Sequence, residues 1–376
     1  MQKRVMIIAG EASGDLHGAE LVRAIQALEP QVRFLGIGGT AMTAAGVDIR
    51  FDAAALSVVG ITEVVPKIPQ ILKGLRVVRR ILRQETPDLL ILIDFPDFNL
   101  MAAKAAKRAG VKVLYYISPQ VWAWRRGRVR TIARRVDHMA VILPFEADFY
   151  HQNGVPATYV GHPLLDQIAP LQWKSKEPDV LSAPVSIALL PGSRHTEIEH
   201  HLPLMLQSAA LLHTKLPSVR FIIALPEGSS PDALDPYRDR WPEGVDLQVS
   251  HAGARAVLAQ CQLALAASGT VTLEAALLGV PAVVVYRVST LSYLLGRLLI
   301  QVKYISLANL IAKGEVLPEL IQHKASAEAV AAQAATILNT PGRLRQMRNA
   351  LKAVRMRMGG GGAARRVAAI ALEMIS

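Results

Sequence analysis

Short apolar runs that alternate with helix-length segments constrain the fold of this chain more than any other feature. Each run has the length of a strand buried on both faces, and such alternation is typical of parallel sheets covered by helices. The predicted strands are Val5–Ala9, Phe34–Ile37, Leu89–Ile93, Val113–Ile117, Met139–Leu143, Val185–Leu190, Arg220–Leu225, Leu263–Ala266 and Ala282–Tyr286. The sequence therefore predicts an α/β protein with two doubly wound, Rossmann-like domains facing a central cleft.

A proline-rich stretch from Leu164 to Pro184 is the natural place for a domain boundary. With 376 residues the chain is long enough for two domains, each with its own core. We expect an N-terminal domain at 1–165, joined by the C-terminal helix 346–376, and a C-terminal domain at 166–345. Gly359–Gly362 is expected to interrupt the helical pattern near the end.

The charge balance points to an anionic partner. Lys and Arg number 42 against 30 Asp and Glu, so the formal net charge is +12. That excess favours nucleic acid, phospholipid headgroups or a phosphorylated substrate. The single cysteine, Cys261, excludes an intrachain disulfide and suits a reducing compartment.

Two segments resemble membrane-directed sequences without meeting their requirements. The N-terminal MQKRVMIIAGE has an apolar run too brief for a signal peptide. The weakly charged stretch Leu263–Tyr286 is broken by Ser268-Gly269-Thr270, Glu274 and Gly279-Val280-Pro281. We therefore predict no transmembrane helix.

A carboxylate at the tip of a predicted strand marks a candidate catalytic site. Leu89–Ile93 is followed by Asp94, a turn at Pro96 and a second acid, Asp97. Ligands of open parallel sheets bind outside the carboxyl ends of the strands, where an acid can act as a general base. Either acid could instead cap a helix that starts near Asn99.

Three loops after predicted strands offer small residues and hydrogen-bond donors to a phosphorylated ligand. They run from Gly10 to Asp15, from Pro191 to Arg194 and from Ser268 to Glu274. Helix N-termini attract anions, Arg194 adds a permanently charged fork, and Glu274 could accept bonds from ribose hydroxyls. Each feature also has a structural alternative. The first loop could be a turn that needs glycine, Arg194 could be a surface arginine paired with a nearby acid, and Glu274 could be a solvated acid on a helix. The first loop lacks both G-x-G-x-x-G and a Walker lysine.

Residues 67–83 contain six basic and no acidic side chains. On a helical wheel the apolar residues share one flank and the cations gather on the adjoining one, as in a helix lying in a bilayer interface. A core helix with a solvated basic edge is the alternative. The predicted membrane contacts are Ile68, Ile71, Leu72, Lys73, Leu75, Arg76 and Arg80.

Two further clusters have several interpretations. Trp122 and Trp124 stand beside the first of six arginines between 125 and 135. They could stack bases, anchor in an interface or line a sugar pocket, but no nucleic-acid module is recognisable. The segment from His195 to His201 has no third metal ligand at helical spacing. We predict neither a nucleic-acid partner nor a metal site.

Six segments together resemble the lipid-A-disaccharide synthase family of glycosyltransferases. They are GEASGD from Gly10, IDFPDFN from Ile93, SPQVWAWR from Ser118, LPGSR from Leu190, ASGTVTLE from Ala267 and SLANLIA from Ser306. The resemblance implies the GT-B architecture and transfer of a diacylated glucosamine from UDP-2,3-diacylglucosamine to 2,3-diacylglucosamine 1-phosphate. The products implied are the β-1′,6-linked lipid A disaccharide 1-phosphate and UDP. Another transferase or epimerase of UDP-N-acetylglucosamine, or a membrane-docked binding protein without turnover, are the alternatives.

The resemblance also implies roles for individual residues. Asp94 and Glu11 fall at the positions of acids implicated in the family, and Asp97 is a supporting candidate that would orient Asp94 or bind acceptor. No cofactor is implied. The resemblance implies that the protein contacts an anionic membrane surface, at the cytoplasmic face of a Gram-negative-type inner membrane. It also implies a homodimer. With the loops above, the expected substrate or UDP contacts are Ser13, Gly14, Gln120, Trp122, Gly192, Ser193, Arg194, Ser268, Gly269, Thr270, Glu274 and Asn309.

Overall fold

The chain divides into two units, seen in a computed structural model. It describes residues 2–56, 64–168, 185–289, 293–294, 296–297, 300 and 302–376. The first unit comprises Met1–Asp166 and Gly360–Ser376, and the second comprises Gln167–Gly359.

The first unit is built on a parallel sheet. Its strands are β1 (Arg4–Ala9), β2 (Arg33–Gly38), β3 (Asp48–Asp52), β4 (Leu89–Ile93), β5 (Lys112–Tyr116), β6 (His138–Val141) and β7 (Ala157–Tyr159). Their order in space is β3-β2-β1-β4-β5-β6-β7, with all pairs parallel. The order reverses between β1 and β4, so the loops after these two strands meet at the topological switch point where such sheets bind ligands.

A second parallel sheet repeats this plan in the second unit. Its strands are β8 (Ser186–Leu190), β9 (Arg220–Ala224), β10 (Leu247–Ser250), β11 (Leu263–Ala267), β12 (Ala282–Tyr286) and β13 (Glu319–Ile321). Their order is β10-β9-β8-β11-β12-β13, and the switch point lies between β8 and β11. The prediction of two doubly wound α/β domains is confirmed.

Helices connect the strands of both sheets. Within the described ranges they are α1 (Ala12–Leu28), α2 (Thr40–Ala44), α3 (Val64–Gln84), α4 (Pro96–Arg108), α5 (Val129–Arg135), α6 (Glu146–His151), α7 (Leu164–Ile168), α8 (His195–Lys215), α9 (Gly253–Leu258), α10 (Thr270–Leu278), α11 (Leu307–Ala312), α12 (Ala327–Asn339), α13 (Arg343–Met358) and α14 (Ala363–Ile375). None of these helices is long and apolar enough to cross a bilayer.

Both faces of the first sheet are buried. Met6 and Ile8 of β1 belong to one hydrophobic cluster, whereas Val5, Ile7 and Ala9 belong to another on the opposite face. The first cluster includes side chains of α3, α4 and α5, and the second includes those of α1 and α14. Because neither face meets water, the central strands are continuous apolar runs.

All nine predicted strands are present, with bounds that agree to within two residues. The strands that sequence analysis missed are β3, β7, β10 and β13, which stand at the edges of the two sheets. Edge strands are short and partly exposed, so they lack the apolar run that identifies a central strand. The helix expected near Asn99 begins three residues earlier, at Pro96, whose fixed φ suits a first helical position.

The C-terminal boundary differs from the prediction that 346–376 joins the first domain. Helix α13 packs on α10 and α11 in the second unit, and only α14 packs on α1. Gly359 and Gly362 have φ of 69° and 89°, a conformation that glycine adopts without strain and that separates the two helices. The expected link falls mostly outside the described residues.

Helix α3 corrects part of the predicted membrane surface. Leu75 is buried at 6% exposure among the core side chains Val78, Ile81 and Leu82, so it cannot contact lipid. Ile71 is partly buried against the same cluster. The flank from Ile71 to Leu82 is therefore that of a core helix with a solvated basic edge, because these apolar side chains cover the sheet.

The opposite flank of α3 has a different environment. Ile68 and Leu72 are exposed at 46% and 47%. The cations Lys73, Arg76 and Arg80 are exposed as well. The predicted membrane contacts that remain accessible are these five residues.

Candidate active site

The carboxylate of Asp94 stands at the end of β4, on a turn with left-handed backbone. Asp94 and Phe95 have φ of 44° and 48°, which is strained for residues other than glycine. The Asp94 carbonyl oxygen accepts bonds from Asn99 Nδ2 at 2.7 Å and from Tyr115 Oη at 2.6 Å. The turn is thus anchored through the Asp94 main-chain carbonyl, in addition to the bond that the Asp94 carboxylate accepts from the Phe95 amide.

The environment of Asp94 suits a general base. Burial raises the pKa of the Asp94 carboxyl to about 6, and the negative charge of Glu11 acts in the same direction. The Phe95 amide and His17 act in the opposite direction. The N-cap of α4 is Phe95, without a side-chain cap, so Asp94 does not serve as the helix cap considered above. A carboxylate ionised at neutral pH yet more basic than usual can accept a proton during a reaction.

The loop after β1 brings its residues to the same switch point. Gly10 passes beneath the ring of Phe95, and a Cβ there would lie 2.2 Å from the ring Cδ1 atom. Glu11 and Ser13 are exposed at the start of α1, while Gly14 is buried. The negative charge of Glu11 raises the pKa of Asp94, which shows that this loop lies near the end of β4. That location is consistent with the predicted substrate contacts.

Asp97 does not share this environment. Its side chain is 75% exposed and forms an ion pair with Arg128. Among the described residues, no hydrogen bond joins Asp97 to Asp94. The structure therefore gives no support to Asp97 as the residue that orients Asp94.

Trp122 contradicts the prediction that its side chain lines a substrate pocket. It is 5% exposed, and its Nε1 atom donates to Glu146 Oε1 at 2.9 Å. Its ring packs edge-on against Phe145, with centroids 4.9 Å apart. An indole is buried readily when its N–H finds a partner, and the Glu146 carboxylate provides one. Gln120, two residues earlier, is exposed.

The loop after β8 in the second unit already binds a carboxylate of the protein. Glu197 accepts the backbone N–H groups of Ser193 at 2.8 Å and Arg194 at 3.2 Å, as the third helical residue does in a capping box. Gly192 has φ of 121°, and a Cβ there would lie 2.4 Å from Glu197 Oε2. The backbone donors expected to hold phosphate are therefore engaged. The Arg194 side chain lies 3.6 Å from Glu197 Oε1, but it is 67% exposed, so an anion can reach it.

The loop after β11 begins α10. Ser268 Oγ donates to the Ile305 carbonyl at 3.1 Å, which joins this loop to the segment before α11. Gly269 and Thr270 are exposed at the helix start. Because β8 and β11 are neighbours, this loop and the Arg194 loop lie side by side.

Glu274 is not the solvated helix acid considered as its alternative. Its side chain is 15% exposed and lies 3.7 Å from Arg255 Nε. Burial raises the pKa of the Glu274 carboxyl, and Arg255 opposes that shift. Arg255 also donates to Gln167 Oε1 at 2.6 Å, so the partner of Glu274 is itself held in place.

Asn309 contradicts the prediction that its side chain contacts UDP. It is fully buried, and its Nδ2 atom donates to the Leu317 carbonyl at 2.7 Å and to Glu319 Oε1 at 2.8 Å. Its Oδ1 atom accepts the N–H groups of Val316 and Leu317. A side-chain amide has two donors and two acceptor positions, and here all four are used. Asn309 therefore holds α11 to the segment that leads into β13.

Several residues that shape these loops were not singled out from the sequence. Asp15 is buried and accepts three backbone N–H groups at the start of α2. Glu146 is 1% exposed, and burial raises its pKa to about 7. Arg255 holds Glu274, as described above. Only Asp15 lies in a segment singled out from the sequence; the long-range partners of all three residues are visible only in the structure.

The histidine-rich start of α8 has structural roles. Glu197 caps the helix, and His201 Nδ1 lies 2.7 Å from the Glu197 carbonyl. His201 Nε2 accepts the N–H of Arg287 at 3.0 Å, and burial lowers the His201 pKa. Across the described residues, no group of three or more His, Cys, Asp or Glu is placed to hold a metal.

Known sequences identify the family to which these loops correspond. A family model described as lipid-A-disaccharide synthetase matches residues 5–373. A lipid-A-disaccharide synthase of Geobacter metallireducens is 46% identical over 376 residues, which cover 99% of this chain and 97% of the relative. One of Syntrophus aciditrophicus is 47% identical over 382 residues, covering 99% and 98%.

Solved structures with the same fold are more distant in sequence. A UDP-GlcNAc 2-epimerase from Neisseria meningitidis has a TM-score of 0.62 at 12% identity, covering 98% of this chain and 100% of the other. MurG of Acinetobacter baumannii has a TM-score of 0.60 at 16% identity, covering 99% of both chains. At such identities the likeness concerns the fold alone, and it agrees with the GT-B architecture.

Proposed function

Because the chain belongs to the lipid-A-disaccharide synthase family and acts in lipid A disaccharide synthesis, we propose an inverting, metal-independent mechanism for it. The donor is UDP-2,3-diacylglucosamine and the acceptor is 2,3-diacylglucosamine 1-phosphate. The observation that carries this proposal is the Asp94 carboxyl, half-buried at the switch point of the first sheet with a pKa of about 6.

Asp94 acts as the general base. The acceptor 6-hydroxyl oxygen attacks the anomeric carbon of the donor, and its proton passes to the Asp94 carboxylate. The bond between the anomeric carbon and the diphosphate oxygen breaks, and UDP leaves with the electron pair. Attack opposite the leaving group converts the α-linked donor into a β-linked product.

The second unit binds the UDP moiety. The exposed Arg194 guanidinium contacts the diphosphate and stabilises the negative charge that develops there. Gly269 and Thr270 border the nucleotide at the start of α10, and Glu274 accepts bonds from ribose hydroxyls.

We place the enzyme on the cytoplasmic face of the inner membrane, held by the exposed side chains of α3 between Ile68 and Arg83. Ile68 and Leu72 present apolar surface, as described above. Arg76, Arg79, Arg80 and Arg83 line, with Gln84, a surface groove of about 390 Å³. No carboxylate is paired with these arginines in the part of the chain that the structure describes. Exposed apolar side chains beside unneutralised cations suit an interface with anionic headgroups.

Replacing both Ile68 and Leu72 with glutamine is expected to weaken binding to phosphatidylglycerol vesicles by about 10-fold or more, because two apolar side chains no longer leave water. Thermal stability should stay within a degree or two of the wild type, since both side chains are exposed. The matched control is Leu75→Gln, a core position that should lose about 2–5 kcal/mol of unfolding free energy. Vesicle co-sedimentation and thermal melts measure the two effects. Undiminished sedimentation of the double variant would remove these residues from the membrane contact.

Product analysis tests the proposed chemistry. With both acylated monosaccharides, the enzyme should form the β-1′,6 disaccharide 1-phosphate and one equivalent of UDP, separated by thin-layer chromatography and assigned by NMR. Turnover should persist in EDTA. An α-linked product would contradict inversion, and loss of turnover in EDTA would contradict metal independence. Equal turnover of an unacylated acceptor would favour a different transferase.

A further inference from the structure

The segment Ser118–Arg128, which joins β5 to α5, is held from beneath by a buried carboxyl group. Glu146 accepts Trp122 Nε1 at 2.9 Å and two backbone N–H groups at the end of β6, at 2.9 and 3.2 Å. Ser118 Oγ lies 2.6 Å from Tyr150 Oη, where both groups are buried. Because β5 pairs with β4, this anchored segment emerges at the same sheet edge as Asp94.

Arginines of the segment extend from this anchor toward the start of α4. Arg126 Nε donates to the main-chain carbonyl of Trp122 at 3.3 Å, so Arg126 is held against the backbone of the anchored segment. Arg128 forms its ion pair with Asp97, in the first turn of α4. Asp97 follows Asp94 by three residues. The Arg128 guanidinium is therefore held at the first turn of the helix that follows Asp94.

The local charge is strongly positive. Between residues 118 and 136 there are six arginines and no acid. Among the residues that the structure describes, Asp97 is the one carboxylate ion-paired with them. An exposed ion pair of this kind contributes only about 0–1 kcal/mol. A dianionic ligand can therefore replace Asp97 at little cost, and a guanidinium fork matches phosphate oxygens.

The acceptor has the chemistry that this arrangement requires. It carries the attacking hydroxyl at one end of a sugar ring and a phosphate monoester at the other. A cation that binds the phosphate must then stand about one sugar ring away from the base that receives the hydroxyl proton. Arg128 is the candidate for this cation, because its partner Asp97 lies at the start of α4, three residues after Asp94 in sequence.

On the basis of the function proposed above, we propose that Arg128, supported by Arg126, binds the phosphate monoester of the acceptor. Asp97 is a positioning residue that holds Arg128 until the phosphate replaces it. The ion pair thereby keeps the cation oriented and prevents it from binding other anions loosely. The bond between Glu146 and Trp122 fixes the position of the segment relative to the sheet.

Steady-state kinetics of Arg128→Gln with two acceptors tests this assignment. The acceptors are 2,3-diacylglucosamine 1-phosphate and the same lipid without phosphate, both in neutral detergent. For the phosphorylated acceptor, kcat/KM should fall about 10- to 100-fold, mainly through KM, since hydrogen bonds to charged groups are lost. For the unphosphorylated acceptor and for the UDP-donor, the variant should match the wild type. Arg128→Lys should give an intermediate loss, because it keeps the charge without the fork.

The control variant is Arg130→Gln, which removes the same charge from an exposed arginine two residues away. Arg130→Gln should leave kcat/KM unchanged for both acceptors. Thermal melts should show that both variants are folded. Equal losses for both acceptors, or a raised donor KM, would overturn the assignment. A phospholipid headgroup is the other source of phosphate, so weakened binding of Arg128→Gln to phosphatidylglycerol vesicles, with unchanged acceptor kinetics, would also overturn it. If wild-type enzyme forms no disaccharide from either acceptor, the proposed function fails instead.

Discussion

Asp94→Asn is expected to lower turnover by about 10²- to 10⁴-fold, the range that a positioned general base contributes. Asparagine has the same shape, and the bonds to Asn99 and Tyr115 use the Asp94 carbonyl oxygen, so the turn should keep its geometry. The KM values for both lipids should change little. Initial rates with both acylated substrates measure the effect. Near-wild-type turnover would exclude Asp94 as the base.

The pH profile distinguishes Asp94 from Glu11. The raised pKa of about 6 means that the Asp94 carboxyl gains a proton as pH falls through 6. A protonated carboxyl cannot accept another proton, so kcat/KM should fall below that pH. Because the Glu11 charge contributes to the raised pKa, Glu11→Gln should shift this fall to lower pH. If Glu11→Gln instead abolishes turnover at every pH, Glu11 is the base.

Asn309→Ala is expected to cost about 3–5 kcal/mol of unfolding free energy, among the largest effects of single substitutions. It leaves two backbone N–H groups, the Leu317 carbonyl and Glu319 without their amide partner in a buried region. Urea denaturation measures this loss. The affinity of the folded protein for UDP should change little, because no part of the Asn309 side chain is exposed.

A matched substitution separates burial from residue type. Asn153 is exposed and its side-chain amide donates to the Phe149 carbonyl, so Asn153→Ala should cost no more than about 1 kcal/mol. The interpretation of Asn309 as structural is wrong if its alanine variant keeps the wild-type stability and binds UDP much more weakly.

The central strands and the candidate base followed from the sequence for a single reason. A strand covered on both faces must be apolar along its whole length, so Leu89–Ile93 could be recognised as a strand without knowing which strands it pairs with. The first charged residue after such a run then marks the strand tip, which placed Asp94. The edge strand β3 alternates exposed and partly buried residues, and nothing local distinguished it from a loop.

The orientation of polar and aromatic side chains did not follow from the motifs. SPQVWAWR and SLANLIA identified the right segments, but Trp122 and Asn309 turn inward to Glu146 and Glu319. Helix α3 shows the same ambiguity, since its apolar flank covers the sheet at Leu75 and faces outward at Leu72. In each case the periodicity is compatible with both outcomes.

By itself, the sequence determined which runs form the two sheets and which acid ends the strand at the first switch point. A strand buried on both faces is apolar at consecutive positions, so it can be recognised from the sequence alone. Only the tertiary structure decided which side chains face a ligand, that Glu197 occupies the amides of the Arg194 loop, and that Arg128 stands beside Asp97. Those outcomes depend on partners brought together by strand order and loop path, and neither is encoded in local spacing.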